Sequence, residues 1–206
     1  LWTSRWGSDT TLDYGNDIIE SRYGGYILCG ETQTFGPGNS DGYMYRMDVS
    51  GNWMPFQTYK TFSNGWDNFN AVTEDTLGRI GLIGAITAVG DPYHHGDVFL
   101  TILNHDLSAY AFTTFGGDNF ETGYTIETTK DYGFVICGTT YSFNNYLADI
   151  YLIKTDSTCN TPSWMSMTDA TYTTGIEKVV AESKTISVFP SPTAGTIAIK
   201  IPDEGD

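Results

Sequence analysis

Positive charge is what this sequence has least of: ten Lys and Arg stand against 25 Asp and Glu in 206 residues, a formal net charge of −15. A surface of that sign repels phosphate backbones and anionic headgroups, which sets nucleic acid and anionic membranes aside as partners. Cysteine is scarce as well. Cys29, Cys137 and Cys159 are odd in number and widely spaced, which makes no disulfide framework. No run approaches the ~18 apolar residues that a membrane-spanning helix needs. Histidine is limited to three residues, and no HExxH, G-x-S-x-G or phosphate-loop pattern is present.

What the sequence does have is Gly, Thr and Tyr. The 23 Gly and 14 Tyr favour strands and tight turns over helices. Hydrophobic residues at 40% suffice for a packed core and argue against disorder. Three segments share one pattern of glycine, apolar run, glycine: "GGYILCG" (24–30), "LGRIGLIG" (77–84) and "DYGFVICG" (131–138). Their closing residues Gly30, Gly84 and Gly138 are 54 apart each time. Downstream of each, a polar loop leads to a run opened and closed by Asp: "DGYMYRMD" (41–48), "DVFLTILNHD" (97–106) and "DIYLIKTD" (149–156).

Each copy accommodates about four strands. The glycine-bounded runs are apolar without alternation, which predicts strands buried on both faces and places Cys29 and Cys137 in the core. Four strands per long, fixed period is the signature of β-propeller blades. A sandwich gives similar strand spacing but no such period. The expected fold is therefore all-β, with three four-stranded propeller-like blades at about 1–53, 54–110 and 111–164, a linker at 165–185, and a new β unit from 186 to 206. Closed propellers have four to eight blades. Leu1–Gly7 reads like the last strand of a preceding blade. The expectation is thus a partial propeller, completed by further blades or by another chain.

Two parts of the sequence resemble known families. "GGYILCGETQTFGPGNSDGYMYRMDVSGNW" (24–53) and "YGFVICGTTYSFNNYLADIYLIKTDSTCNTPSW" (132–164) resemble the propeller-like repeats of secreted and surface proteins of Bacteroidota. "ISVFPSPTAGTIAIKI" (186–201) is similar to the entry of the type IX secretion C-terminal sorting domain. Pro190, Pro192, Thr193 and Gly195 match that motif, and Ser191 stands where Asn is common. The resemblance implies export by the type IX machinery, with the protein secreted or held at the outer cell surface. It also implies a small β-sandwich, of which about one strand is present before Asp206.

Candidate chemistry is sparse. His94 and His95 in "GDPYHHGD" (90–97), flanked by Asp91 and Asp97, point to opposite faces if the backbone is extended and have no third His within the motif, so a zinc site is not supported. Asp41, Asp97 and Asp149 recur once per copy; as a ring of carboxylates they are the candidates for calcium, and as repeated turn residues they cap the strands they open. The inter-strand loops carry Phe35, Tyr93, Tyr141, Phe143 and Tyr146. Aromatic rings beside polar groups stack on sugars or dock a protein partner. Arg5, Arg22, Arg46 and Arg79 do not recur in register, as a sialidase-type cluster requires, and no carboxylate pair stands out for glycoside hydrolysis. The expected function is a surface or extracellular binding protein for a glycan or a surface protein, without a cofactor. The alternatives are an extracellular hydrolase working at the loop face, and a passive spacer.

Overall fold

The computed structural model describes residues 1–36, 39–61, 65–87, 95–143, 147–161, 180–181 and 184–185. Asp91, Tyr93, His94, Tyr146, Pro190, Pro192, Thr193 and Gly195 lie outside the described residues. Within them the chain is all-β, without a helix, and its strands pair antiparallel. Residues 1–163 form one compact unit and 164–206 a second. Of the second, a short hairpin is described, Val180–Ala181 against Lys184–Thr185.

The first unit is built from three up-and-down sheets in chain order. The first runs β1 (Asp13–Glu20), β2 (Tyr26–Thr32), β3 (Asp41–Met47) and β4 (Trp53–Lys60). The second runs β5 (Asn68–Glu74), β6 (Ile80–Thr87), β7 (Gly96–Leu103) and β8 (Ala109–Phe115). The third has three described strands, β9 (Glu121–Thr128), β10 (Phe134–Thr140) and β11 (Asp149–Thr155).

The period reads straight through the register. The glycine-bounded runs are the second strands, and their cross-strand pairs recur in kind: Cys29 faces Met44, Ile83 faces Leu100, and Cys137 faces Leu152. Each first strand carries an irregularity at the same place, around Asn16, Asn70 and Tyr124. The closing glycines sit opposite that irregularity. A Cβ on Gly30, Gly84 or Gly138 would lie 1.8, 2.0 or 2.1 Å from the carbonyl oxygen of Tyr14, Asn68 or Thr122. Glycine is required there because backbone meets backbone, not because of a turn.

The sheets pack face to face through two cores, and the second sheet belongs to both. One face of it meets the first sheet: Ile80, Leu82, Phe99 and Leu103 pack with Ile27, Cys29 and Met44. The other meets the third: Ile83, Val98, Leu100 and Ile102 pack with Ile126, Phe134, Ile136, Tyr151 and Ile153. That is why "RIGLIG" shows no alternation. Both sets of side chains on β6 are enclosed, whereas β10 alternates buried and exposed.

Interlocking bonds fix the sheets relative to one another. The Asn16 amide donates to the Phe69 carbonyl at 2.9 Å, and one period later the Asn70 amide donates to the Gly123 carbonyl at 2.8 Å. The irregularities at Asn16 and Asn70 thus each turn an amide out of their own sheet and into the backbone of the next.

Gly84→Ala is expected to destabilise the fold by about 2–4 kcal/mol, since the clash is with backbone on the middle sheet. Gly24→Ala meets no neighbour within 4 Å and keeps only the strain of its φ of +87°, worth about 1 kcal/mol. Urea denaturation of the two variants beside the parent measures both; equal midpoints would refute the close-approach explanation.

Candidate functional site

Three repeated sets of residues, two acidic and one aromatic, play different roles in the structure. The strand-closing residues Asp48, Asp106 and Asp156 are turn formers. Oδ1 of Asp48 accepts from the Ser50 and Asn52 amides at 2.8 and 2.9 Å, and Oδ1 of Asp156 accepts from the Thr158 and Asn160 amides at 2.8 and 2.9 Å. Asp106 accepts from the Ser108 amide at 2.9 Å and from its hydroxyl at 2.6 Å. Each bond favours the ionised acid.

The strand-opening residues Asp41, Asp97 and Asp149 stand in three different environments. Asp41 is buried, Asp97 half-buried and Asp149 exposed. Gly36 lies over the Asp41 carboxylate, where a Cβ would come within 2.0 Å of it. Gly116 covers Asp97 in the same way, and a Cβ there would also meet Oε2 of Glu121 at 2.7 Å. Burial, and then the charge of Glu121, raise the Asp97 carboxyl above its ordinary value. Each of the three belongs to a different sheet, and the described residues hold no group of three or more His, Cys, Asp or Glu suited to a metal.

A third carboxylate series, not picked out from the sequence, performs the structural work expected of the second. Asp13, Asp67 and Glu121 are 54 apart and precede or open their sheets. Asp13 accepts from the hydroxyls of Thr32 and Thr34 and from the Ser8 amide at 3.2 Å. Asp67 accepts from the Thr87 amide at 3.2 Å. Glu121, fully buried, accepts from the hydroxyls of Thr140 and Ser142, the Tyr141 amide and the Gly117 amide. These clasps tie the end of each second strand to the start of its sheet. The signal was available as an acidic residue at a fixed distance before each glycine run, but the change from Asp to Glu in the third copy obscures it.

The aromatic loop residues form a true pair. Phe35 and Phe143 are two periods apart, 41% and 39% exposed, and each leans on a third-strand tyrosine. The ring centroids of Phe35 and Tyr43 are 6.3 Å apart, and those of Phe143 and Tyr151 are 6.0 Å apart. Tyr141, 37% exposed, leans instead on Phe120 at 6.4 Å. Burial, with Tyr45 nearby, pushes the Tyr43 hydroxyl up to about 12; burial, Glu121 and Asp97 do the same for Tyr151. Both tyrosines are therefore neutral donors at physiological pH. A cleft of about 640 Å3 between the first two sheets, lined by Glu20, Arg22 and Glu74 among others, is already bridged by its own groups: the Arg22 amide donates to Glu74 at 2.7 Å and its guanidinium to the Asp75 carbonyl at 2.7 Å.

Cys137 corrects the expectation drawn from the run "FVIC". Cys29 is buried, whereas Cys137 is exposed, because no described residue covers the outer side of the third sheet. Val135, Ile150 and Leu152 share that side and are also exposed. No protein-family model matches the sequence, and no curated protein matches it.

The turn carboxylates predict the direction of the acid response. The Asn52 side chain holds Asp48 low, and the Ser108 hydroxyl does so for Asp106. At Asp156 loss of hydration acts upward and is outweighed by the combined bonds from Asn160 and Thr158. A folded pKa below the unfolded value of ~4 gives stability that is present above pH ~4 and lost as pH falls through the folded value. Asp97, with its raised value, acts in the opposite sense. In the triple variant Asp48→Asn, Asp106→Asn and Asp156→Asn the turn acceptors remain but the charge is gone. Its urea midpoint should lie below the parent's at neutral pH, and the gap should close below pH ~4. A gap independent of pH would show that the ionised form contributes nothing.

Proposed function

We propose that this chain is the binding part of a secreted or cell-surface protein built from propeller-like blades. Its ligand, a glycan or a surface protein, meets the loops between the second and third strands. The observation that carries this reading is the repeated aromatic pair. Phe35 on Tyr43 and Phe143 on Tyr151 present half-exposed rings at equivalent places on the first and third sheets. Phe35 is also stacked on Trp6 at 4.7 Å; a ring held in this way loses little freedom on binding, and its exposed part suits a pyranose ring or an apolar side chain. Two such points on one domain give multivalent contact without any bond being made or broken.

The polarity of the surface agrees with this use, since a net charge of −15 favours neutral or cationic ligands over phosphate-bearing ones. Three stacked antiparallel sheets of one repeated register support the propeller-like reading. Export by type IX secretion is proposed on the likeness of "ISVFPSPTAGTIAIKI" to a sorting-domain entry.

Glycan-array binding by the full chain is the direct test, with Phe35→Ala/Phe143→Ala as the comparison. The double variant should lose at least tenfold in affinity, equivalent to about 1.4 kcal/mol, while its urea midpoint stays close to the parent's. A ligand bound equally well by both proteins would move the site away from these rings, and no binding at all would favour the spacer.

A further inference from the structure

We propose that Asp97, Glu121 and Tyr151, which meet between the second and third sheets, bind a primary ammonium group, and that its source is a lysine side chain of a surface protein. The two acids converge beside one glycine. A Cβ on Gly116 would lie 1.9 Å from Oδ1 of Asp97 and 2.7 Å from Oε2 of Glu121, so any other residue there would displace both carboxylates. Glu121 is fully buried and Asp97 half-buried. Oε1 of Glu121 is committed to the hydroxyls of Thr140 and Ser142 and to the Tyr141 amide, whereas Oε2 accepts only from the Gly117 amide, at 2.8 Å. Asp97 accepts no hydrogen bond among the described residues.

Tyr151 points to a ligand independently of the acids. It is 7% exposed, and its hydroxyl has no hydrogen-bond partner among the described residues. A side chain this buried ordinarily spends its hydroxyl on a bond. Glu121 and Asp97 both act on that hydroxyl through their charge, which puts it at the same place as a neutral group with lone pairs to offer. The repeat does not account for the arrangement. Between the first and second sheets the equivalent residues are Asp41, Asp67 and Phe99. There Asp41 is 1% exposed, with Gly36 lying over it, and Phe99 carries no hydroxyl. The accessible acid and the unbonded hydroxyl belong to the second junction, not to the common plan.

Three acceptors at one place match the three donors of an alkylammonium ion. Two neighbouring carboxylates repel each other, and burial and then the Glu121 charge raise the Asp97 carboxyl; a cation beside them offsets that repulsion. Calcium takes six to eight oxygens, and the described residues hold no group of three acids, His or Cys suited to a metal. Since Glu121 and Tyr151 are buried, the ammonium must come on a slim stem. Lysine has one, and Phe143, 39% exposed and 6.0 Å from Tyr151 between ring centroids, offers a ring for it to lie along. A net charge of −15 draws in a cationic partner. The choice of a surface protein as partner rests on the binding function proposed above; the ammonium site rests on the three acceptors alone.

The probe is N-α-acetyl-lysine amide, titrated into the full chain at neutral pH while the amide signals of Gly116 and Gly117 are followed by NMR. Both signals should shift and saturate, with a Kd in the millimolar range expected of one such contact. The same probe acetylated on Nζ keeps its stem, loses its charge and should shift neither. Asp97→Asn and Tyr151→Phe should each weaken binding of the charged probe at least tenfold. Their urea midpoints should be no lower than the parent's, since neither Asp97 nor the Tyr151 hydroxyl bonds to a described residue. No saturable shift, equal shifts with both probes, or unchanged binding in the two variants overturns the site. Glucosamine bound as tightly as the lysine probe overturns the choice of lysine, and calcium giving the same shifts at lower concentration overturns the choice of an ammonium group. Failure here is distinct from failure of the aromatic pair, which is read from array binding by the Phe35→Ala/Phe143→Ala variant.

Discussion

Everything else in this chain depends on one constraint: the two inner strands β6 and β7 of the second sheet have no solvent face. Ile80, Leu82 and Phe99 leave them on one side, Ile83, Leu100 and Ile102 on the other, and both sets are enclosed. Burying a side chain of this size is worth about 1.5–3 kcal/mol relative to exposure. A sheet apolar on both sides cannot exist without neighbours, so the first and third sheets are a condition of its folding. The packing also has a direction. Every first strand opens at the same place, the Asn16 and Asn70 amides reach forward into the next backbone, and forward and rear faces never exchange roles.

Repetition explains why so many candidate acids turn out to be structural. Ser21, Asp75 and Thr129 begin the same turn, each closed by a backbone bond four residues long, to Gly25, Arg79 and Gly133. Asp75 adds side-chain bonds to the Leu77 and Arg79 amides, both at 2.8 Å, and a buried pair with the Arg79 guanidinium at 2.6 Å. That guanidinium in turn donates to the Tyr132 and Ser157 carbonyls, so one turn on the second sheet secures two on the third. A residue present once per repeat faces the same local need each time. Chemistry is better sought where the repeats share exposure without a local need, and Phe35 and Phe143 meet that description.

The sequence made the period legible because backbone contact forces glycine at 30, 84 and 138. No other residue fits 2 Å from a carbonyl oxygen, so the mark survives while surrounding side chains drift. The all-β class and the twofold burial of "RIGLIG" follow from the same reading. The irregularity at Asn16 and Asn70 was not legible, since an asparagine near a strand start reads equally well as a turn. Nor was the exposure of Cys137. An apolar run announces a strand able to be covered on both faces; whether a cover is present is a property of the neighbours. At the candidate site, the loop aromatics were visible by type, but Tyr43 and Tyr151 lie inside strands and look like ordinary core residues until the loop folds back on them.

The third forward face differs from the two internal ones in its polar groups. Where Asn16 and Asn70 send an amide across, the third copy has Tyr124, which is exposed and has no amide to offer. A bond of that kind contributes about 1 kcal/mol net, roughly a fivefold difference in affinity. Arg46, which reaches the His105 carbonyl of the next sheet at 2.8 Å, is likewise replaced by Lys154, bonded to Asp131 and Thr155 of its own sheet. The apolar part of the face is retained and both polar fasteners are gone. The internal interfaces, by contrast, are joined by the chain and fastened by these bonds.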